Sequence, residues 1–228
     1  MKSVFPESEP TLLKVTGRNY GYPVRRIFCV GRNYAEHVLE LGNKVEKKHP
    51  FYFTKSAFSL LGSEKNLTYP PMTNELHHEA ELVVAIAKPL QKAKREELEG
   101  SIFGYACGLD MTRRDLQSLA KKQGKPWDMS KDFDGSAIIG EITEAKKVPE
   151  IQNANLKLFL NNKIQQHGQI SDMIYPVDEI LLDLSKYTQL IPGDIIMTGT
   201  PAGVSSVKKG DFLVAKIDGL KDLKVKIM

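Results

Sequence analysis

The sequence predicts an α+β fold, a large curved sheet with a few short helices set into it. Three observations lead there. Short β-like runs recur along the whole chain, only three segments carry helical spacing, and the two kinds do not alternate as a βαβ fold requires. The chain has 228 residues, 41% hydrophobic and 26% charged. A chain of that size buries about 70% of its unfolded surface around a core without staples. Collagen-like, coiled-coil, disulfide-scaffold and disordered classes are excluded by the same composition.

Taken in order, residues 26–31 (Arg-Ile-Phe-Cys-Val-Gly) read as a buried strand, as do Phe51, Tyr52 and Phe53. Between them, Asn33 is placed to cap a helix running through Leu41, with Gly42 to end it. Residues 79–87, rich in Val and Ala, form a third strand and residues 102–109 a fourth. Thr112 with Asp115 three residues on resembles a capping box for a helix ending near Gly124. Leu156, Leu158 and Leu160 alternate, and Asn161-Asn162 can supply the positive φ of a tight hairpin. Residues 178–187 carry Ile180, Leu181 and Leu184 at helical spacing. Gly-Asp pairs at 193–194 and 210–211 then lead into two closing strands.

The net charge is +4, from 32 basic and 28 acidic residues, and the lysines are scattered rather than striped. Nucleic acid is therefore not an expected partner. The mixed run from Lys44 to Lys48 reads as a solvated loop. No apolar run approaches the roughly 20 residues of a membrane helix, and residues Met1 to Glu7 lack the apolar region of a signal peptide. A soluble, cytoplasmic protein is expected. Cys29 and Cys107 sit in apolar stretches and read as reduced core thiols. With no G-x-G-x-x-G and no Walker motif, a nucleotide cofactor is not indicated.

The run His77-His78-Glu79-Ala80-Glu81-Leu82-Val83-Val84-Ala85-Ile86 is the most informative. Side chains at i and i+2 of a strand share a face, about 6.6–6.8 Å apart along the backbone. Glu79 and Glu81 therefore point the same way, joined by His77 if the strand starts early. The residues after Glu81 are apolar on both faces, the mark of a buried strand. Two carboxylates there would repel unless one took up a proton or a cation lay between them. Hard oxygen ligands favour Mg²⁺ or Mn²⁺, with Ca²⁺ as a substitute. Asp110, at the end of the fourth strand and just before a helix, offers a third acid. Two other readings stand beside this one: a solvent-exposed sheet face, and an Fe²⁺ site using His77.

Five segments in this order resemble the fumarylacetoacetate hydrolase family: residues 29–34 (Cys-Val-Gly-Arg-Asn-Tyr), 78–82 (His-Glu-Ala-Glu-Leu), 109–117 (Leu-Asp-Met-Thr-Arg-Arg-Asp-Leu-Gln), 131–134 (Lys-Asp-Phe-Asp) and 192–204. The resemblance runs from about Arg25 to the C-terminus, with residues 1–24 as an extension and 25–228 as one catalytic domain. It is strongest for the acylpyruvase and oxaloacetate decarboxylase branch. It implies a β-roll, usually in a homodimer, with Mg²⁺ or Mn²⁺ held by Glu79, Glu81 and Asp110. It further implies a 2-oxo acid substrate cleaved through a metal-stabilised enolate, Lys131 as the active-site lysine, and His37 with Glu40 as the water-activating lid pair. Arg32, Gln117 and Thr200 match substrate-binding positions, Thr200 against a carboxylate. Arg114 is left between Asp115 and Asp110 as partners.

Ser56 follows Lys55 where the family usually has Pro, and residues 135–140 lack the usual Gly- and Pro-rich stretch. These departures bear on substrate shape more than on metal binding. Within the family reading, acylpyruvate hydrolysis, oxaloacetate decarboxylation and tautomerisation of oxaloacetate or a related diacid share one enolate. A non-catalytic metal- or ligand-binding scaffold is the alternative from another class.

Overall fold

The computed structural model describes residue 4 and residues 10–40, 42, 44–45, 47–63 and 65–228. Leu41, Glu46 and most of the expected extension up to residue 9 thus lie outside the described residues. The centre is a mixed sheet of eight strands. Its order is Phe51–Lys55, Arg26–Gly31, Asp194–Met197, Ala80–Ile86, Ile102–Asp110, Ala137–Ile139 and Leu60–Gly62, with Thr143–Glu144 pairing beside Ile102–Asp110. A five-stranded sheet packs on one face, in the order Lys163–Gln169, Asn155–Leu160, Phe212–Ile217, Leu223–Ile227 and Asn66–Leu67. Both sheets contain parallel and antiparallel neighbours. With four short α-helices among the described residues, this is the expected α+β roll.

The strand Ala80–Ile86 shows why the sequence folds this way. All seven of its residues are buried. Leu82, Val84 and Ile86 enter the core between the two sheets, with Leu109, Leu156, Leu158 and Val225. Val83 and Ala85 enter a second core on the opposite face, with Ile27, Cys29, Ile195 and Met197. Period-two alternation thus feeds two cores at once. The second core is covered by a hairpin, Leu12–Lys14 with Gly21–Pro23, through Leu13, Val15 and Tyr22. Cys29 and Cys107 are buried free thiols.

Several expected elements stand where the pattern placed them. Asn161 and Asn162 take φ of 49° and 65° in the turn between Asn155–Leu160 and Lys163–Gln169. The helices Val177–Tyr187 and Arg114–Gln123 are present, and Gly124 ends the second in the left-handed conformation. Others differ. Phe51–Lys55 is an edge strand rather than a buried one, and Phe51 is exposed. The helix after Asn33 spans Ala35–Glu40, and Asn33 does not cap it. Its amide instead donates to the carbonyls of Tyr175 and Thr198 at 3.0 and 2.8 Å and accepts from the Tyr175 N–H at 2.8 Å. Thr112 and Asp115 form no capping box either. The Asp115 carboxylate accepts from the Thr73 hydroxyl and the Asn74 N–H.

Candidate active site

Strand register brings the acids together. Ala80 pairs with Leu109, and the Asp110 N–H donates to the Glu79 carbonyl at 2.8 Å. Glu79, just ahead of one strand, therefore lies beside Asp110, the last residue of its neighbour. Glu81 comes two residues later. One carboxylate oxygen from each of Glu79, Glu81 and Asp110 lies within 4.8 Å of the others, and all three residues are buried. The exposed-face reading of Glu79 and Glu81 is thereby excluded. His77 takes no part, since it belongs to a separate strand, Leu76–His77, paired with Thr112 and Ser206.

The surrounding cations are equally buried. Lys131, at the end of the helix Asp128–Lys131, donates to Glu79 Oε2, Asp110 Oδ2 and the Thr112 hydroxyl, each at 2.7 Å. Lys55 Nζ faces Asp110 Oδ1 at 2.8 Å and also donates to the Lys131 carbonyl. Arg114 donates to Glu79 Oε1 and, at 2.6 Å, to Gln117 Oε1. Neither Asp115 nor Asp110 is its partner. Burial opposes the charge on Glu79, yet Lys131 and Arg114 hold its carboxyl well below the ordinary range. Glu81 goes the other way: burial, then the charges of Asp110 and Glu79, push its carboxyl well above that range.

A sharp turn completes this floor. The Gly199 N–H donates to Glu81 Oε2 at 2.8 Å. Gly199 has φ of 98°, and a Cβ there would sit 2.7 Å from the Asn33 Cβ, so the turn requires glycine on both counts. Next in the chain, the Thr200 hydroxyl accepts from Gln166 at 2.7 Å. On the helix Ala35–Glu40, His37 Nδ1 lies 3.0 Å from Glu40 Oε2, and Glu40 Oε1 accepts from the Gly203 N–H at 3.1 Å. One cavity is lined by all nine residues the sequence singled out except Glu40, which stands behind His37.

Sequence reasoning missed Lys55, Gln166, Lys121 and Trp127. A lysine closing the aromatic run Phe51–Lys55 is a readable signal, because lysine is rarely buried without a charged partner. Gln166 sits mid-strand and carries no such signal. Its amide joins His78, the Ala80 N–H, Thr200 and Pro201.

The donor set fits a hard divalent cation: three clustered carboxylates, of which Glu81 has, among the described residues, only a backbone N–H as partner. Such a floor, with an ammonium and a histidine–carboxylate pair on the same cavity, defines the class of metal-dependent enzymes that stabilise an oxyanion.

Residues 26–228 match the model of the fumarylacetoacetate (FAA) hydrolase C-terminal domain. A fumarylpyruvate hydrolase from a Ralstonia species is 40% identical over 189 residues, covering 82% of this chain and 98% of that protein. An oxaloacetate tautomerase from Escherichia coli is 38% identical over 199 residues, 87% and 90% of the two chains. The crystal structure of fumarylpyruvate hydrolase from Pseudomonas aeruginosa in complex with Mn²⁺ and pyruvate superposes with a TM-score of 0.96. It is 39% identical and covers 100% of this chain and 99% of that one. The chain belongs to the fumarylacetoacetate hydrolase family.

Proposed function

We propose that this chain is a Mg²⁺- or Mn²⁺-dependent enzyme that hydrolyses a small acylpyruvate at the C–C bond beside its 2-oxo acid group. The observation that carries the reading is the buried cluster of Glu79, Glu81 and Asp110 with Lys131 bridging two of them. When bound, the cation supplies a Lewis acid that stabilises negative charge on an oxygen of the 2-oxo carboxylate.

The chain's own residues do the rest. Two of the three carboxylates, Glu79 and Asp110, already face the three cations Lys55, Lys131 and Arg114. With Glu81 ionised beside a bound cation the three acids and three bases would balance, so the charge of the dication would be left for a negatively charged substrate. Lys131, fixed by three oxygens, keeps its ammonium at the cavity without reorganising. Glu40 beside Nδ1 favours the proton there and leaves Nε2 of His37 to take one from water. Gln166 donates to Thr200, so the Thr200 proton is free to point at a substrate carboxylate. Gln117, which accepts from Arg114 through its oxygen, keeps its NH₂ for the substrate. Arg32 adds a positive group at the same cavity.

Tautomerisation of oxaloacetate is the second reading. The His37–Glu40 pair favours it, because that pair moves a proton whether or not water attacks. The chain also reads as a homodimer with residues 25–228 as the catalytic domain, on the family resemblance, and as cytoplasmic, supported by its buried free thiols. Among the described residues no helix is long and apolar enough to cross a membrane.

The test is turnover of acetylpyruvate and of oxaloacetate, each with Mn²⁺ and with excess EDTA. Metal-dependent consumption of acetylpyruvate to acetate and pyruvate is expected. Enolisation of oxaloacetate without acetylpyruvate cleavage would favour the second reading. Turnover indifferent to EDTA would overturn both.

A further inference from the structure

Gln166 is the one buried residue of the strand Lys163–Gln169. It lies opposite Leu158, which fills the core between the two sheets, so an amide stands where the pattern calls for an apolar side chain. A buried amide is costly unless its hydrogen bonds are made. Gln166 makes four, as many as its side chain can. Its Oε1 accepts from the Ala80 N–H at 3.0 Å and lies 3.0 Å from His78 Nδ1. Its NH₂ donates to the Thr200 hydroxyl at 2.7 Å and to the Pro201 carbonyl at 2.9 Å.

Two of those partners have only one possible role, and they fix the direction of the rest. A backbone N–H can only donate and the Pro201 carbonyl can only accept, so the amide cannot be turned over. His78 Nδ1 therefore carries its proton, and Nε2 of the same ring lies 2.9 Å from the Ser205 hydroxyl. Thr200 must accept from Gln166, which leaves its own hydroxyl proton for another partner. Thr200 lines the cavity, whereas His78 and Gln166 are fully buried behind it. Strand and turn are pressed together here. A Cβ on Gly168 would sit 2.8 Å from the Pro201 Cβ, and one on Gly203 would collide with the Gln165 carbonyl.

We propose that Gln166, backed by His78, is a positioning residue of this site: it holds the Thr200 hydroxyl as a donor toward the carboxylate of a bound 2-oxo acid. Neither His78 nor Gln166 touches the substrate. With the amide in place, the substrate carboxylate meets the Thr200 proton. With a carboxylate at position 166, the hydroxyl would turn its proton inward and present a lone pair to the substrate, which repels it. This rests on the reading above that a 2-oxo acid binds in the cavity.

The experiment is a double-mutant cycle on the Mn²⁺-loaded enzyme with acetylpyruvate. Gln166→Glu keeps the shape of the side chain and reverses its polarity toward Thr200. It should lower kcat/KM about 10- to 100-fold, mainly through KM, while Mn²⁺ binding stays as in the wild type. Thr200→Val should raise KM to a similar extent. In that background Gln166→Glu should cost no more than about twofold, since no hydroxyl is left to turn. His78→Leu removes the second donor to Oε1 and should raise KM about 3- to 10-fold. His78→Asn, whose amide puts a donor in the place of Nδ1, should restore most of that. Losses that multiply in the Gln166→Glu, Thr200→Val double variant overturn the inference, as does an unchanged KM in Gln166→Glu. If Gln166→Glu does not fold, the His78 pair decides, and equal KM values for His78→Leu and His78→Asn overturn it. If the wild type does not consume acetylpyruvate, the parent reading has failed, and titration calorimetry with pyruvate then decides the inference. Pyruvate binding weakened about 10- to 100-fold in Gln166→Glu supports it. Equal affinity, or a wild type that binds no pyruvate, overturns it.

Discussion

The floor of the cavity and the short helix beside it are held in opposite ways. Two acids of the floor are fixed from several directions, Glu79 by Lys131 and Arg114 and Asp110 by Lys131 and Lys55, while Glu81 between them takes the Gly199 N–H. These groups rise from the ends of central strands whose remaining residues fill two cores. Among the described residues the helix Ala35–Glu40 is tied by several side-chain hydrogen bonds at its start, where Asn33 brackets Tyr175 and Thr198. At its far end Glu40 reaches Gly203 through one hydrogen bond, and Glu40 in turn orients His37. The contrast is chemical. A floor that concentrates charge must be over-determined, or its like charges would push it apart. A proton-transfer group needs only the right neighbour.

That comparison can be broken at its strongest point first. Lys131→Met removes the one group that binds two floor acids, and kcat should fall about 10²- to 10³-fold on every 2-oxo acid the enzyme accepts. Steady-state kinetics read it, and loss confined to one substrate would mean that Lys131 serves specificity.

On the helix, His37→Ala should cost about 10²-fold in acylpyruvate hydrolysis and far less in oxaloacetate decarboxylation, because only hydrolysis needs an activated water. Equal losses in the two assays would make His37 a positioning group.

The hinge between the two regions is Asn33. Asn33→Ala leaves the Tyr175 N–H and two carbonyls without partners and should destabilise the fold by about 1–3 kcal/mol. For a chain of this size that is a drop in Tm of about 2–4 °C per kcal/mol. An unchanged Tm would show that the helix start is held by something else, such as the Tyr34–Met173 bridge.

The smallest effect lies away from both regions. Arg18 and Lys146 hold Glu144 down to about 2 from its ordinary 4.5. A depressed carboxylate contributes stability that is complete above its unfolded pKa and is lost as pH falls through the folded one. The wild type should therefore lose slightly more Tm between pH of about 5 and about 3 than Glu144→Gln does. Identical losses would show that the pair is decorative.

Much of this was legible in the sequence, for local reasons. The strand Ala80–Ile86 announces itself by being apolar on both faces, and the i, i+2 rule sets Glu79 and Glu81 on one side of it. Asp110 is marked by its place at a strand end. What failed to show were partnerships made across the chain. A local rule reads Asn33 as a cap, yet its hydrogen bonds go to Tyr175, 142 residues away. Thr112 and Asp115 have capping-box spacing, but Lys131 and Thr73 claim them. The aromatic run Phe51–Phe53 fixes a strand without saying that it is an edge. Arg114 has acids nearer in sequence than Glu79, and only the β-strand register brings Glu79 to it.

The central claim is that Glu79, Glu81 and Asp110 together hold one divalent cation. Titration of the metal-free protein with Mn²⁺, monitored by electron paramagnetic resonance, tests it most directly. One site per chain is expected in the wild type, lost or weakened at least about tenfold in Glu81→Gln with its circular dichroism unchanged. Undiminished Mn²⁺ binding in a folded Glu81→Gln protein would contradict the claim and move the cation elsewhere.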